Sequence, residues 1–485
     1  MMSVRLRFAP SPTGWLHIGG LRTALFNYLY AKKMGGQFIL RIEDTDRTRY
    51  VEGAVENLLD ALNWSGIEND EGPKYVDGEL KEVGEYGPYV QSNRLPLYRK
   101  YVDELIDKGY AYYCFCDKER LDAIRAEREA KGLIPRYDGF CRSIPIEEAK
   151  KRVANGEPYV VRLKLNKNED VTFNDLVRGK ITINTDDMDD QVLLKSDGFP
   201  TYHMAVVVDD HLMGVTHIVR GEEWLPSTPK HVLLYRALGW EEPTYVHLPT
   251  VLNKSRKKLS KREGDVAVGD FRKAGYLPDA LINFLALIGW SPDTEDEIMS
   301  MDEMIKEFSF ERVSKTGGIF DVDKLNWMNA HYIRNKDNAE LLDLAAPFME
   351  EVLGISQEEI IKNREYYEIM MEAVKEDCDT LKVVAEKCKM FTESEVHYDE
   401  DTKEWLESED MPVLKDGIRK LLEGKEMTLE YADEFMKLLK AETGVKGKNL
   451  FMPVRCLLSG KAKGPDFVHV LYLLGKDKIL ERVNK

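Results

Sequence analysis

Cysteine is scarce, at six residues in a chain of 485. That excludes a disulfide-built scaffold and points to a reducing, cytoplasmic setting. Long apolar runs are missing as well. The longest near-apolar stretch, from about Leu281 to Trp290, is about half of what a bilayer requires. The opening Met1-Met2-Ser3-Val4-Arg5-Leu6-Arg7 runs into Ala9-Pro10-Ser11-Pro12 without the apolar centre of a leader. The reading is of a soluble protein with no membrane partner. Positive charge is in deficit, with 69 Lys plus Arg against 86 Asp plus Glu and a net charge of −17. A diffuse polycation that holds nucleic acid by bulk charge is thereby excluded, while a local basic strip is not. There is no internal repeat and no low-complexity tract.

What is present is an ordinary globular composition, 43% hydrophobic and 10% aromatic, in a chain long enough for roughly three units of about 150 residues. Val4, Leu6 and Phe8 alternate with Arg5 and Arg7, which marks a short strand. After a Pro/Gly-rich turn, Leu21, Ala24, Leu25, Tyr28 and Leu29 recur at helical spacing until Gly35-Gly36, and Gln37 to Ile42 reads as the next strand. Strand, crossover helix and strand make a parallel α/β unit, whose ligands sit beyond the carboxyl ends of the strands. Segments 7–20 and 43–46 therefore converge on one crevice. Residues 66–90 read as an exposed excursion. Helical text at 99–108 and 117–131 mixes with a strand-like stretch at 159–165, as in an inserted α+β subdomain. Strand-like text returns at Met204-Ala205-Val206-Val207-Val208 and at His217-Ile218-Val219-Arg220, and beyond about residue 335 the pattern is helical and acidic.

Two stretches carry chemistry. In His17-Ile18-Gly19-Gly20, glycines at a helix start offer backbone N–H groups and a positive dipole end to phosphate. Neither a dinucleotide fingerprint nor a Walker P-loop is present. In Ser255-Arg256-Lys257-Lys258-Leu259-Ser260-Lys261-Arg262, five cations in eight residues repel one another unless an anion or water lies between them. The first stretch resembles the HIGH motif of class I aminoacyl-tRNA synthetases, and Lys258-Leu259-Ser260-Lys261-Arg262 resembles their KMSKS loop. Ala9-Pro10-Ser11-Pro12-Thr13-Gly14, Arg41-Ile42-Glu43-Asp44-Thr45-Asp46, Tyr137-Asp138-Gly139, Thr201-Tyr202-His203, Val208-Asp209-Asp210-His211, Arg220-Gly221-Glu222-Glu223-Trp224 and Gly447-Lys448-Asn449-Leu450-Phe451-Met452-Pro453 are similar to one branch. That branch is the bacterial-type glutamyl-tRNA synthetases, and the similarity runs the length of the chain.

The resemblance implies an α/β multidomain fold: a Rossmann-like parallel-sheet catalytic domain (1–100 and 195–255) with an inserted acceptor-end-binding subdomain (101–194). A helical domain carrying the KMSKS loop and contacting the tRNA stem (256–336) and an all-α anticodon-binding region (337–485) follow. It implies a glutamate–tRNA ligase that uses ATP with Mg2+, forms a glutamyl-adenylate, transfers glutamate to tRNA(Glu) and works as a monomer. His17, Gly19, Gly20, Lys258, Ser260, Lys261 and Glu223 then serve ATP. Arg7, Ser11, Glu43, Tyr202 and Arg220 serve glutamate, with the arginines on its side-chain carboxylate and Glu43 on its ammonium group. The strand alternation supports Arg7 independently, placing it opposite the apolar face at a carboxyl end, and Arg suits a bidentate carboxylate clamp. Trp224 falls near adenosine by family position. Cys114, Cys116 and Cys141 match a structural zinc site whose fourth ligand in related enzymes lies two residues after the last cysteine. That position here is Ser143, a poor zinc ligand. Tyr137, four residues before Cys141, is a further candidate, and both a zinc site and the relic of one stay open. Arg256–Arg262, Arg152, Arg162 and Arg178, and the C-terminal set Lys446, Lys448, Arg455, Lys461 and Lys463 are candidate tRNA contacts, and the choice between tRNA(Glu) alone and tRNA(Gln) as well is not written in the pattern.

Overall fold

A computed structural model of the chain describes residues 3–259 and 266–485. The chain divides into two compact units, Met1–Asp270 with Ile282–Asp321, and Phe271–Leu281 with Val322–Lys485.

In the first unit, strand β1 (Arg5–Phe8), helix α1 (Ile18–Lys33) and strand β2 (Gln37–Leu40) form the crossover unit read from the sequence. β1 and β2 pair in parallel with Arg7 opposite Ile39 and Phe8 opposite Leu40. α1 buries Leu21, Ala24, Leu25 and Leu29 on one face, three or four residues apart. Gly35, at φ 60°, ends the helix. A Cβ on Gly36 would lie 2.1 Å from the Val4 carbonyl oxygen, so the return into β2 admits no side chain there. Helix α2 (Ala54–Trp64) follows. The excursion at 66–90 contains an antiparallel hairpin, β3 (Gly72–Val76) and β4 (Glu79–Val83), with β4 mostly exposed.

Next come α3 (Leu95–Asp107), β5 (Ala111–Cys114), α4 (Lys118–Ala130), α5 (Ile146–Ala154), β6 (Val160–Leu163), β7 (Asp170–Asp175), β8 (Gly179–Asn184) and β9 (Val192–Leu194). Strands β5, β6 and β9 make a small separate antiparallel sheet. Helix α6 (Tyr202–Leu212), β10 (His217–Gly221), α7 (Thr228–Leu238) and β11 (Thr244–Leu248) return the chain to the centre. The main sheet runs β2-β1-β10-β11-β7-β8, parallel except for the antiparallel β8 edge.

The stretch from Met204 to Val208 corrects the strand reading given above, because it lies inside α6. A short continuous apolar run fits a buried strand and a helix buried on all sides equally well. Here Met204 through Asp210 are all buried, so no polar face was available to reveal the 3.6-residue period.

The second unit is helical. Its longer helices are α8 (Val322–Asn335), α9 (Asn338–Leu353), α10 (Arg364–Val374), α11 (Leu381–Thr392), α12 (Met411–Leu422), α13 (Leu429–Thr443), α14 (Lys448–Ser459) and α15 (Phe467–Asn484). They close over a core that includes Leu341, Met370, Met371, Val384, Leu414, Phe435, Val454 and Leu471. Cys378 and Cys388 pack within that core. Among the described residues, no helix is long and apolar enough to cross a membrane.

Candidate active site

A cavity of about 820 Å3 opens at the carboxyl ends of β1 and β10, lined among others by Arg7, Ser11, Gly19, Gly20, Glu43, Tyr202, Arg220, Glu223 and Trp224. Thus nine residues named from the sequence meet in one cavity. Their positions follow from the parallel sheet: Arg7 and Arg220 are the next-to-last residues of β1 and β10, and Glu43 follows β2. Gly19 and Gly20 open the first turn of α1, and His17 caps it, with Nδ1 accepting from the Gly19 N–H at 3.2 Å. Tyr202 begins α6, and its ring lies 4.1 Å from that of Trp224.

Lys258 is exposed and pairs its backbone with Leu252. Ser260 and Lys261 lie outside the described residues.

The charges behind the cavity are buried and paired. Arg7, 3% exposed, donates from Nε to Asp210 Oδ1 at 3.0 Å and from NH1 to the Val219 carbonyl at 3.3 Å. Arg41 donates to the same Asp210 oxygen at 2.7 Å and to Glu43 Oε1 at 2.8 Å. One carboxylate therefore orients Arg7 directly and Glu43 through Arg41. Burial alone would raise the Asp210 carboxyl, but Arg7 and Arg41 overcome it and hold the group below its ordinary value. For Glu43 burial prevails over Arg41 and lifts the carboxyl above its usual range. Such a carboxylate gains when a cation approaches. Asp209, the preceding residue, lies 3.9 Å from Arg41 Nε and accepts from Arg94 at 2.7 Å, Tyr98 at 2.8 Å and Gln91 at 2.9 Å.

Arg220 is held on the far side by four acceptors. Its Nε donates to His247 Nε2 at 3.1 Å, NH1 to the Tyr202 hydroxyl at 3.1 Å and to His231 Nδ1 at 3.3 Å, and NH2 to Thr228 Oγ1 at 2.9 Å. His247 Nδ1 is 2.7 Å from Asp175 Oδ2, and His231 Nε2 is 3.0 Å from His203 Nδ1. Burial lowers all three imidazoles, that of His203 to about 4.

Sequence reasoning gave these supporting residues no roles. Asp209 and Asp210 did leave a signal, two adjacent charges inside a valine-rich stretch. His231 and His247 left none, because an isolated histidine in α7 or β11 looks like any other.

Beside the small sheet, the sulfurs of Cys114 at the end of β5, Cys116 just after it and Cys141 in the 3₁₀ turn Phe140–Ser143 lie within 4.8 Å of one another. Ser143 is exposed. The hydroxyl that meets the sulfurs belongs to Tyr137, 3.3 Å from Cys114 Sγ and 3.5 Å from Cys116 Sγ. Of the candidate tRNA contacts, Arg152 pairs with Glu157, Arg178 pairs with Glu222, and two are buried: Arg162 donates to the Asp190 carbonyl at 2.9 Å and Arg455 to the Pro465 carbonyl at 2.8 Å.

Residues 3–327 match the family of tRNA synthetases class I (E and Q), catalytic domain, and residues 340–485 match the anticodon binding domain. The chain is 56% identical to the glutamate–tRNA ligase of Finegoldia magna, covering all of this chain and 99% of that protein. It is 52% identical to the glutamate–tRNA ligase of Clostridioides difficile, over 99% and 98% of the two chains. The crystal structure of a glutamate tRNA ligase from Elizabethkingia meningosepticum, in complex with its amino acid, superposes with a TM-score of 0.87 at 39% identity, over 100% and 99% of the two chains. With two-thirds of its length in the catalytic family and relatives well above 30% identity end to end, the chain belongs to the class I tRNA synthetases of the E and Q type.

Proposed function

We propose that the protein is an ATP-dependent glutamate–tRNA ligase that attaches L-glutamate to the 3′ end of tRNA(Glu). The observation that carries this reading is a buried set of opposite charges in one cavity, Arg7 and Arg220 with Glu43. Glutamate needs a cation for its side-chain carboxylate and an anion for its ammonium group. Hydrogen bonds to Asp210 and Val219 use two of the five N–H groups of Arg7. The Tyr202 hydroxyl accepts from Arg220, which leaves its own O–H to donate. A pocket whose side chain-facing groups are donors favours a carboxylate over the amide of glutamine, which must also be met by an acceptor.

In the first step an α-carboxylate oxygen of glutamate attacks the α-phosphorus of ATP, and the bond to the β-phosphate breaks to release pyrophosphate. In the second, a 3′-terminal ribose hydroxyl of tRNA attacks the acyl carbon of the adenylate, and AMP leaves. Negative charge grows on the phosphates in the first step, so donors already aimed there are worth about 10²–10³ in rate each. The start of α1, with Gly19 and Gly20 on the cavity wall and with His17 oriented by accepting the Gly19 N–H at Nδ1, serves the triphosphate. Mg2+ bound to ATP supplies further neutralising charge. Lys258, Ser260 and Lys261 are assigned to the same phosphates from the motif, and Glu223 and Trp224 to the adenosine side.

A charging assay with tRNA(Glu), ATP and glutamate tests the reading. Arg7→Ala is expected to lose charging by at least about 10³ at fixed glutamate, and an equal rate in the variant would remove the clamp from the reaction.

The thiol cluster supports a structural zinc ion held by Cys114, Cys116, Cys141 and the Tyr137 oxygen. Cys116 and Cys141 sulfurs are 3.6 Å apart, and the tyrosine oxygen is 3.3–3.5 Å from two of the sulfurs. Those are close to the edges, about 3.5–3.8 Å, of a tetrahedron with ordinary zinc bond lengths. Three thiolates and a phenolate around zinc carry excess negative charge. Arg162 stacks 4.0 Å over the Tyr137 ring and Arg120 lies 3.5 Å from Cys116 Sγ, which supplies the balance. Zinc would fasten the 3₁₀ turn at Phe140–Ser143 to β5. Metal analysis is expected to find one zinc per chain, with Tyr137→Phe losing it to chelator at about 10-fold lower concentration. Well under one equivalent in the wild-type protein contradicts the assignment.

A further inference from the structure

The chain Asp175–His247–Arg220–His231–His203 has only one consistent pattern of protons, and that pattern points at the glutamate site. A guanidinium has five N–H donors and no acceptor. His247 Nε2 and His231 Nδ1, which face Arg220 Nε and NH1, must therefore both be lone pairs. Each ring then keeps its proton on the other nitrogen. His247 Nδ1–H donates to Asp175 Oδ2 at 2.7 Å, and His231 Nε2–H donates to His203 Nδ1 at 3.0 Å. Thr228 Oγ1 accepts from Arg220 NH2 and can donate to the Trp224 carbonyl 3.2 Å away or to the same His247 Nε2 lone pair 3.1 Å away. His231 and His247 are 1% and 0% exposed, so water does not compete for their lone pairs.

The consequence falls on Arg220. Four of its five N–H groups are fixed by Tyr202, His231, His247 and Thr228, which sets the plane of the guanidinium and directs its remaining NH2 proton. A guanidinium on a flexible stem otherwise loses rotamer freedom when it binds a carboxylate, and fixing it beforehand removes that cost.

We propose that His231 and His247 are positioning residues that hold Arg220 in place for the glutamate side-chain carboxylate. This rests on the reading that Arg220 binds that carboxylate. Neither histidine touches substrate, and their effect passes through the arginine. They also set specificity, since a fixed donor favours a carboxylate, whereas a free guanidinium can turn aside for an amide.

The test is steady-state charging of tRNA(Glu) by the full-length protein, with glutamate and ATP varied separately. His231→Leu removes the lone pair, and His231→Asn restores an acceptor near the Nδ1 position while giving up the bond to His203. Expected are a KM for glutamate raised about 10-fold or more in His231→Leu, a KM for ATP within about twofold of wild type, and a glutamate KM for His231→Asn within about threefold. The proposal is overturned if His231→Leu keeps a normal glutamate KM, if ATP and glutamate KM rise together, or if the asparagine fails to rescue. A second measurement needs no substitution: 15N spectra of histidine-labelled wild-type protein should show His231 with its proton on Nε2 and His247 with its proton on Nδ1. The opposite tautomer at either ring overturns the proposal. Arg220→Gln separates the two layers. If it charges normally, the reading beneath has failed, whereas a crippled Arg220→Gln beside a normal His231→Leu defeats this inference alone.

Discussion

The two units differ in the partners of their buried arginines, although Arg22 and Arg162 of the first also donate to backbone carbonyls. In the first, Arg7, Arg41 and Arg94 meet buried carboxylates, Asp209, Asp210 and Glu43. In the second, Arg455 and Arg482 are buried too, but their hydrogen-bond partners are backbone carbonyls. Arg455 donates to Pro465 at 2.8 Å, and Arg482 to Leu458, to Met390 at 2.7 Å and to Glu393 at 3.1 Å. Arg482 thereby caps the ends of α11 and α14, where unpaired carbonyls and the dipole favour a cation. A carbonyl partner fastens helices at little electrostatic cost. A buried carboxylate partner is costly to desolvate and is poor evidence for stability. The ionic cluster of the first unit is therefore better explained by the charges its cavity must recognise than by the demands of folding.

Breaking the ionic cluster should do the most. Asp210→Asn leaves Arg7 and Arg41 without their shared counter-charge. Expected are a stability loss of about 3–5 kcal/mol in denaturant unfolding and a large rise in the KM for glutamate. A variant that lost stability alone would make the cluster structural and erase the contrast. Met371→Ala, in the apolar core of the second unit, should cost about 2–5 kcal/mol with the glutamate KM unchanged. Arg482→Met should cost about 2–3 kcal/mol by freeing buried carbonyls, again without moving the glutamate KM.

A pH series sharpens the same contrast. His203 titrates near 4 in the folded protein because of burial, with Lys230 and Arg220 adding to it against Asp189, while an unfolded histidine titrates near 6.5. Below 6.5 the unfolded chain takes up a proton that the folded one refuses. Stability should fall as pH drops from about 6.5 to about 4, and His203→Asn should flatten that slope in equilibrium unfolding. Smallest of all is the exposed pair of Lys131 with Glu127 at the end of α4, whose removal should leave the unfolding midpoint unchanged.

Much of this was legible in the sequence, for identifiable reasons. Strand β1 showed itself because only one of its faces is apolar, and the same alternation marked Arg7. The start of α1 showed itself through glycines that a helix does not otherwise favour. Family resemblance supplied Glu43, Tyr202 and Arg220, which local pattern alone would have missed. Helix α6 was misread because burial on every side erased its period. The layer behind the cavity was unreadable for a different reason. Asp175, His231 and His247 lie on three separate elements, β7, α7 and β11, and acquire meaning only when the sheet brings them to one guanidinium. At the cysteines the family pattern left a poor ligand, Ser143, and one substitute, Tyr137; the fold presents the tyrosine hydroxyl to the sulfurs.

The most direct test of the account is a charging assay with purified protein, tRNA(Glu) and ATP, supplying glutamate or glutamine in turn to wild type and Arg7→Ala. The account predicts glutamyl-tRNA from the wild type, no product with glutamine, and loss of glutamate charging in the variant. Wild-type charging with glutamine as readily as with glutamate, or undiminished charging by Arg7→Ala, would contradict it.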